Sequence, residues 1–181
     1  MKHLRNKILV FILLLSPLQI IYGQIFGVDL VKDLKEKEKI ISEITKNDKN
    51  IEVVKNLIVY VSNGATNFLI APVISTEENS GGCYLQYLNE NHQIGARYLI
   101  EKNEDVQSCD AIIAIFGCHL PKVNGIGVMT GIRLGSNNYY EQSSFFDVSK
   151  NSELTSNPEL SKKIVSVDSV AKAKRNLGCF K

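Results

Sequence analysis

The chain lacks the short motifs by which exported enzymes are most easily recognised. It contains no Gly-x-Ser-x-Gly, no His-x-x-x-His or His-Glu-x-x-His, and no Cys-x-x-Cys. Those absences remove the signatures of serine esterases, zinc proteases and dithiol redox or zinc sites. Beyond residue 23 only His92 and His119 remain as imidazoles, too few for a structural zinc site, and no metal or cofactor is expected. Beyond residue 23 basic and acidic residues are interleaved rather than clustered, so the electrostatic footprint of a nucleic-acid binder is missing. Although asparagine is abundant, no Asn-x-Ser/Thr acceptor is present, which points toward a bacterial rather than a eukaryotic secretory route.

Long apolar runs are scarce too. The longest is N-terminal: Lys2, Arg5 and Lys7 precede Ile8–Leu15, then Ser16-Pro17 and a short stretch ending Ile21-Tyr22-Gly23. A basic segment, an apolar segment and a small residue at the boundary describe a secretory signal peptide. About 15 apolar residues broken by a proline fall short of the roughly 20 that span a bilayer. Cleavage is placed after Gly23, with no cysteine next to it to take a lipid, and residues 24–181 form one globular domain with no membrane span. Losing three basic residues takes the formal charge from +2 to −1. The expected location is the periplasm or the extracellular space.

What the mature segment contains is a regular pattern. The run KDLKEKEKIISEITK (32–46) interleaves its charges, with Leu30, Leu34, Ile41 and Ile44 recurring at helical spacing and Val31 and Ile40 widening the stripe. This predicts an amphipathic helix with a solvated charged face, Asp33 and Lys37 standing i,i+4 on it. NLIVYVSNGATNFLIAPVI (56–74) reads as two strands joined at Asn63-Gly64, a dipeptide that accepts the positive φ of a tight turn. CYLQYL (83–88) and QIGARYLIE (93–101) read as further strands. CDAIIAIFG (109–117) has the length and composition of a central strand covered on both faces. GIGVMTGIRLG (125–135) and YYEQSSFFDVS (139–149) suggest a long hairpin through Ser136-Asn137-Asn138. The glycines at 125, 127 and 131 lack the spacing of a dinucleotide loop and mark close backbone approach instead. At the C-terminus, Ser156 or Asn157 can cap a helix beginning at Pro158, with Leu160, Ile164, Val167, Val170 and Ala171 on one side and a stop at Leu177-Gly178. The expected fold is α+β: an antiparallel meander of six or seven strands with an N-terminal and a C-terminal helix packed on one face, stapled by disulfides.

Four cysteines in an exported chain of this length read as two disulfides. If 109–118 is extended, its ends lie roughly 30 Å apart, far beyond the roughly 7 Å Cα limit for a bridge, so Cys109 and Cys118 cannot pair. The pairings left are Cys83–Cys109 with Cys118–Cys179, or Cys83–Cys118 with Cys109–Cys179. The first is preferred, because Cys83 and Cys109 each open a strand at the same end of the meander. Cys118-His119 as a nucleophilic pair is disfavoured, since neighbours in a strand point to opposite faces.

With no catalytic motif, the expected function is binding: a non-catalytic exported protein whose partner is another protein, an inhibitor or immunity protein against a toxin or lytic enzyme. The loops selected as recognition candidates carry His119 and Lys122, and Asn137, Asn138, Tyr139 and Tyr140, because polar-aromatic loops on a rigid frame usually carry contacts. A carrier of a small apolar ligand, with the meander curled into a barrel, and a cell-envelope hydrolase using His92 or His119 are the alternatives. The oligomeric state is left open.

Overall fold

The computed structural model describes residues 26–64, 66–76, 81–100, 108–134 and 138–179. The expected signal peptide, the acids of 77–78 and 104–105, and Asn137 lie outside the described residues. The strands fall into two antiparallel sheets rather than one meander. The first contains β1 (Phe26–Leu30), β2 (Ile51–Val53), β3 (Val59–Asn63), β4 (Thr66–Ser75), β5 (Cys83–Asn89) and β6 (Ile94–Leu99). Its order is β1-β3-β4-β5-β6, with β2 lying end to end with β3 along the same edge of β4. The second is a true meander, β10-β9-β8-β7, of β7 (Ser108–His119), β8 (Asn124–Leu134), β9 (Asn138–Val148) and β10 (Leu154–Ser156).

The sheets pack face to face, and each carries helix on its outer side. Between them lie Val59, Val61, Phe68, Ile70 and Leu85 from the first sheet against Ile112, Ile126, Val128, Ile132 and Phe146 from the second. On the outer face of the first sheet, α1 (Leu34–Asn47) presses Ile40 and Ile44 against Leu69, Ala71, Val73 and Leu88. On the outer face of the second, Ile164, Val167, Ala173 and Leu177 cover Phe116, Met129 and Phe145. The helices therefore sit on opposite sides of a four-layer sandwich, not together on one face. Alternation within the strands drives this: Phe68 and Ile70 point inward while Leu69, Ala71 and Val73 point outward, and with both sets apolar each sheet must be covered twice.

Local chemistry sets the elements. Asp33 is the N-cap of α1, its carboxylate accepting from Glu36 N at 2.8 Å, a contact worth about 1 kcal/mol. Leu30, expected in the helical stripe, belongs to β1 and is exposed. Pro72 is tolerated inside β4 because it falls at the break between β2 and β3; its carbonyl accepts from Val54 N at 2.9 Å, so the missing donor interrupts no ladder. The C-terminal segment forms two helices, α2 (Pro158–Lys162) and α3 (Val170–Leu177), instead of one. Asn157 caps α2 and Pro158 takes its first position, while Ser169 caps α3 anew. Gly178, with φ +75°, ends α3 in the left-handed conformation that glycine adopts without a Cβ penalty. The break turns Ala171 to solvent and brings Ala173 inward.

β7 is an edge strand of its sheet, with β8 and β9 inside it, whereas the sequence suggested that β7 is central. Register shifts near Cys109–Ala111 and Ile112–Ala114 make Asp110 and Ile113 extra residues in β7, and Ile113 is exposed as a result. β8 is buried along nearly its whole length, and its glycines explain how. A methyl group at Gly127 would overlap the Phe116 ring, and one at Gly125 the Phe145 ring, so both aromatics lie directly on the β8 backbone.

Cys83 is bonded to Cys109, with Cα atoms 5.5 Å apart, and Cys118 to Cys179, at 5.1 Å. This is the preferred connectivity, for a different reason than proximity within one meander: the first bridge crosses from the inner side of one sheet to the other, and the second ties β7 to the residue after α3. Two disulfides are consistent with a chain that matures in an oxidising compartment. Among the described residues no helix is long and apolar enough to cross a membrane.

Candidate functional site

The recognition candidates separate into two places. His119 and Lys122 flank the turn between β7 and β8, whereas Tyr139 and Tyr140 start β9 at the other end of the same hairpin. Eleven residues of β8 separate those ends, about 35 Å at strand rise. The tyrosines do not form one patch either. Neighbours in a strand project to opposite faces; Tyr139 lies over Gly131 on the outer face of its sheet, and Tyr140, paired with Ile132, belongs to the inner face. They are 54% and 48% exposed. Of Asn138, the backbone begins β9.

The His119 end is built differently. Three turns converge there: the β3–β4 hairpin, the β7–β8 turn and the connection from β9 to β10. The first is tight, with Asn63 paired to Thr66 and Gly64 at φ 68°. The second is closed by Leu120 N donating to Val123 O at 3.0 Å. The third is folded around Ser149, whose hydroxyl accepts from Asn151 N and Glu153 N. It holds Ser152 at φ 64° and is joined to the first turn by Ser152 Oγ donating to Thr66 Oγ1 at 2.9 Å.

A chain of amides locks these turns together, and its polarity is determined throughout. The Ser149 carbonyl can only accept, so the group of Asn63 that meets it at 2.8 Å is Nδ2. Asn63 Oδ1 then accepts from Asn124 Nδ2 at 2.9 Å. That turns Asn124 Oδ1 to His119 Nδ1 at 2.5 Å, and since the oxygen has no proton to give, Nδ1 of His119 is the protonated ring nitrogen. Asn63 is buried, and a buried amide bonded on both sides fixes its neighbours closely.

Between the turns lies a cleft of about 510 Å³, lined by His119, Lys122, Asn124, Asp147, Lys150 and Thr155 with Leu120, Pro121, Val123 and Val148 as its apolar parts. That volume lies within the usual range of ligand sites. Asp147 is turned toward Asn157, whose Nδ2 reaches both carboxylate oxygens at 2.9 and 3.0 Å. Lys122 and Lys150 make no ion pair with a described residue and stand on separate turns, both exposed. The sequence reading selected His119 and Lys122 but missed Asn63, Asn124, Asp147 and Lys150. Asn63 was read only as a turn residue, and contacts across 61 and 86 positions leave no local signal.

A second cavity, of about 390 Å³, lies between α1, the β3–β4 hairpin and the β5–β6 turn, with Glu36, Tyr60, Ser62, Glu90 and His92 on its wall. The Tyr60 hydroxyl donates to Glu36 Oε1, and His92 Nε2 lies 3.2 Å from the same oxygen. His92 is held at φ 62°, and its Nδ1 is buried without a partner among the described residues. Burial pushes the Tyr60 phenol up to about 12, with the Glu36 carboxylate adding to the effect. No group of His, Cys, Asp and Glu among the described residues is arranged to hold a metal ion. Cys118 is committed to Cys179, so the adjacent Cys118-His119 pair has no thiol to activate. No protein family, curated protein or solved structure matches the chain.

Proposed function

We propose that the chain is an exported, non-catalytic binding protein, of the periplasm or beyond it, that recognises another protein through the end of the sandwich bearing His119 and Lys122. The class that suits it is an inhibitor or immunity protein acting on a toxin or lytic enzyme. One observation carries this reading: three turns from both sheets are cross-linked by the Asn63–Asn124–His119 amide chain into a rigid rim around an exposed cleft. Recognition groups held in place before contact lose little entropy on binding, and loops on a stapled scaffold are where contacts are usually made. A closed barrel for an apolar ligand is not favoured, since the space between the sheets is filled by Phe68, Phe146, Ile126 and their neighbours.

The hydrolase reading has its own specific support in Glu36, Tyr60 and His92 around one cavity, because a carboxylate-oriented imidazole is the usual general base. The two are separated by one set of proteins. The mature chain should capture a protein partner that His119→Ala and Lys122→Ala release and His92→Ala retains. Recovery of no partner, together with glycan, peptidoglycan or ester hydrolysis abolished by His92→Ala, would replace binding with catalysis.

A further inference from the structure

The cleft at the His119 end also specifies what kind of group it receives. We infer that it binds an acidic segment of the partner protein, a carboxylate seated between Lys122 and Lys150 with apolar neighbours against Leu120, Pro121, Val123 and Val148. This rests on the protein-binding reading above and names the chemistry of the contact.

Charge is the first argument. Two lysines from different turns border the cleft, and neither is neutralised by a described acid. The one carboxylate in the lining, Asp147, is engaged by Asn157 on both oxygens. The second argument is the wall of the cleft that the lysines share with His119. His119 presents its ring there with Nδ1 fixed as the donor to Asn124, so the ring is oriented before any ligand arrives. The third is the apolar share of the lining: Leu120 and Val148 are buried while Pro121 is exposed. A bare inorganic anion would leave Pro121 and the half-buried Val123 wet, whereas an aspartate or glutamate with an aliphatic neighbour covers them. Long-range attraction between such a rim and an acidic partner raises the association rate and makes it sensitive to salt.

The test uses the mature chain and two capped tetrapeptides, acetyl-Leu-Glu-Asp-Leu-amide and its neutral counterpart acetyl-Leu-Gln-Asn-Leu-amide. Each is titrated to about 10 mM, the range in which so small a contact saturates, while backbone amide shifts are followed. The acidic peptide should move amides of 119–124 and 147–155 saturably and bind at least about five-fold more tightly than the neutral one. Lys122→Gln with Lys150→Gln should weaken it by about five-fold, the range for two exposed ion pairs, and Lys162→Gln on α2 should leave it unchanged. Equal binding of both peptides, shifts elsewhere on the molecule, or no saturable shift overturns the inference. If a captured partner is released by His119→Ala but kept by the double lysine variant, the acidic-segment inference fails while binding at this end of the sandwich stands. If the acidic peptide binds but no protein partner exists, the cleft's preference for carboxylates stands alone, and both the protein-binding reading and the partner named for the cleft fail.

Discussion

The two helical layers cover the two sheets by different means. α1 is a single 14-residue helix held by an apolar stripe and by polar pins at both ends. Near its start Glu36 meets Tyr60 and His92, and at its C-cap Asp48 pairs with Arg97 of β6 at 2.7 Å. The C-terminal layer is broken into α2 and α3, which are too short to persist alone. It is fastened by Cys118–Cys179, by Ser161 Oγ accepting from Phe145 N at 2.9 Å, and by Asn157 N donating to Phe145 O at 2.8 Å. A continuous stripe lets one layer dispense with a covalent tie; a broken helix needs one. Two of the pins of α1, Tyr60 and Asp48, have shifted titrations and the bond at Cys118 has none, so the layers should fail under different conditions.

The largest expected effect falls on the stapled layer. Replacing Cys118 and Cys179 together by alanine opens a 61-residue loop, which the chain-entropy estimate values at roughly 4 kcal/mol. Hydrogen exchange should rise first in Val170–Leu177, with Leu34–Asn47 still protected. A uniform rise through both layers would show that they do not fail separately. The matching change in the other layer is Ile40→Ala, which empties a fully buried position and should cost about 3 kcal/mol by denaturant unfolding. Here the loss of protection belongs in α1, and persistence of its protection would mean that the pins rather than the stripe hold it.

A smaller effect is expected at high pH. Burial, then the hydrogen bond to Glu36, raises the folded Tyr60 phenol to about 12 from 10.0. The unfolded chain therefore loses this proton first, and stability contributed through Tyr60 is intact below pH 10 and declines as pH rises from 10 toward 12. Burial raises the Tyr87 phenol as well, so phenolate absorbance should show late-titrating tyrosine, and Tyr60→Phe should remove one residue's share of that late absorbance.

Much of the local structure was legible, and the reason is chemical. Asn157, Pro158 and Gly178 announce helix ends by side-chain and φ preferences that act within a few residues, and Asn63-Gly64 announces a turn in the same way. The length of one extended segment excluded only Cys109–Cys118, and the choice between the two pairings left rested on a single meander that the structure divides into two sheets. Sheet membership was not legible, because in a four-layer sandwich both faces of a strand are apolar. Phe68–Val73 is buried on every residue, so it offers no polar face to say which side meets helix and which meets the other sheet. The central place of β8 was hidden by its glycines, whose role depends on Phe116 and Phe145 arriving from adjacent strands. The cleft is harder still, since its amide chain joins residues that are neighbours only after both sheets have packed.

The mildest test distinguishes the two attachments by acid. The Arg97 guanidinium, hydrogen-bonded to Asp48, holds that carboxyl below its ordinary 3.8, with Asn50 N adding a further bond. A depressed folded value means that the stabilisation is complete above about pH 4 and is lost as pH falls through the folded value. Both partners are about a third exposed, so the pair contributes only about 0.5 kcal/mol. Asp48→Asn should therefore lower stability slightly at pH 7 and by less at pH 2, as the wild-type carboxyl takes up its proton. The change should appear as fraying of the last turn of α1, read by amide exchange at Ile44–Asn47, while α3 is unaffected. An equal cost at both pH values would mean that Asp48 acts by packing rather than by charge, and that α1, like its counterpart, is fastened by bonds that acid does not reach.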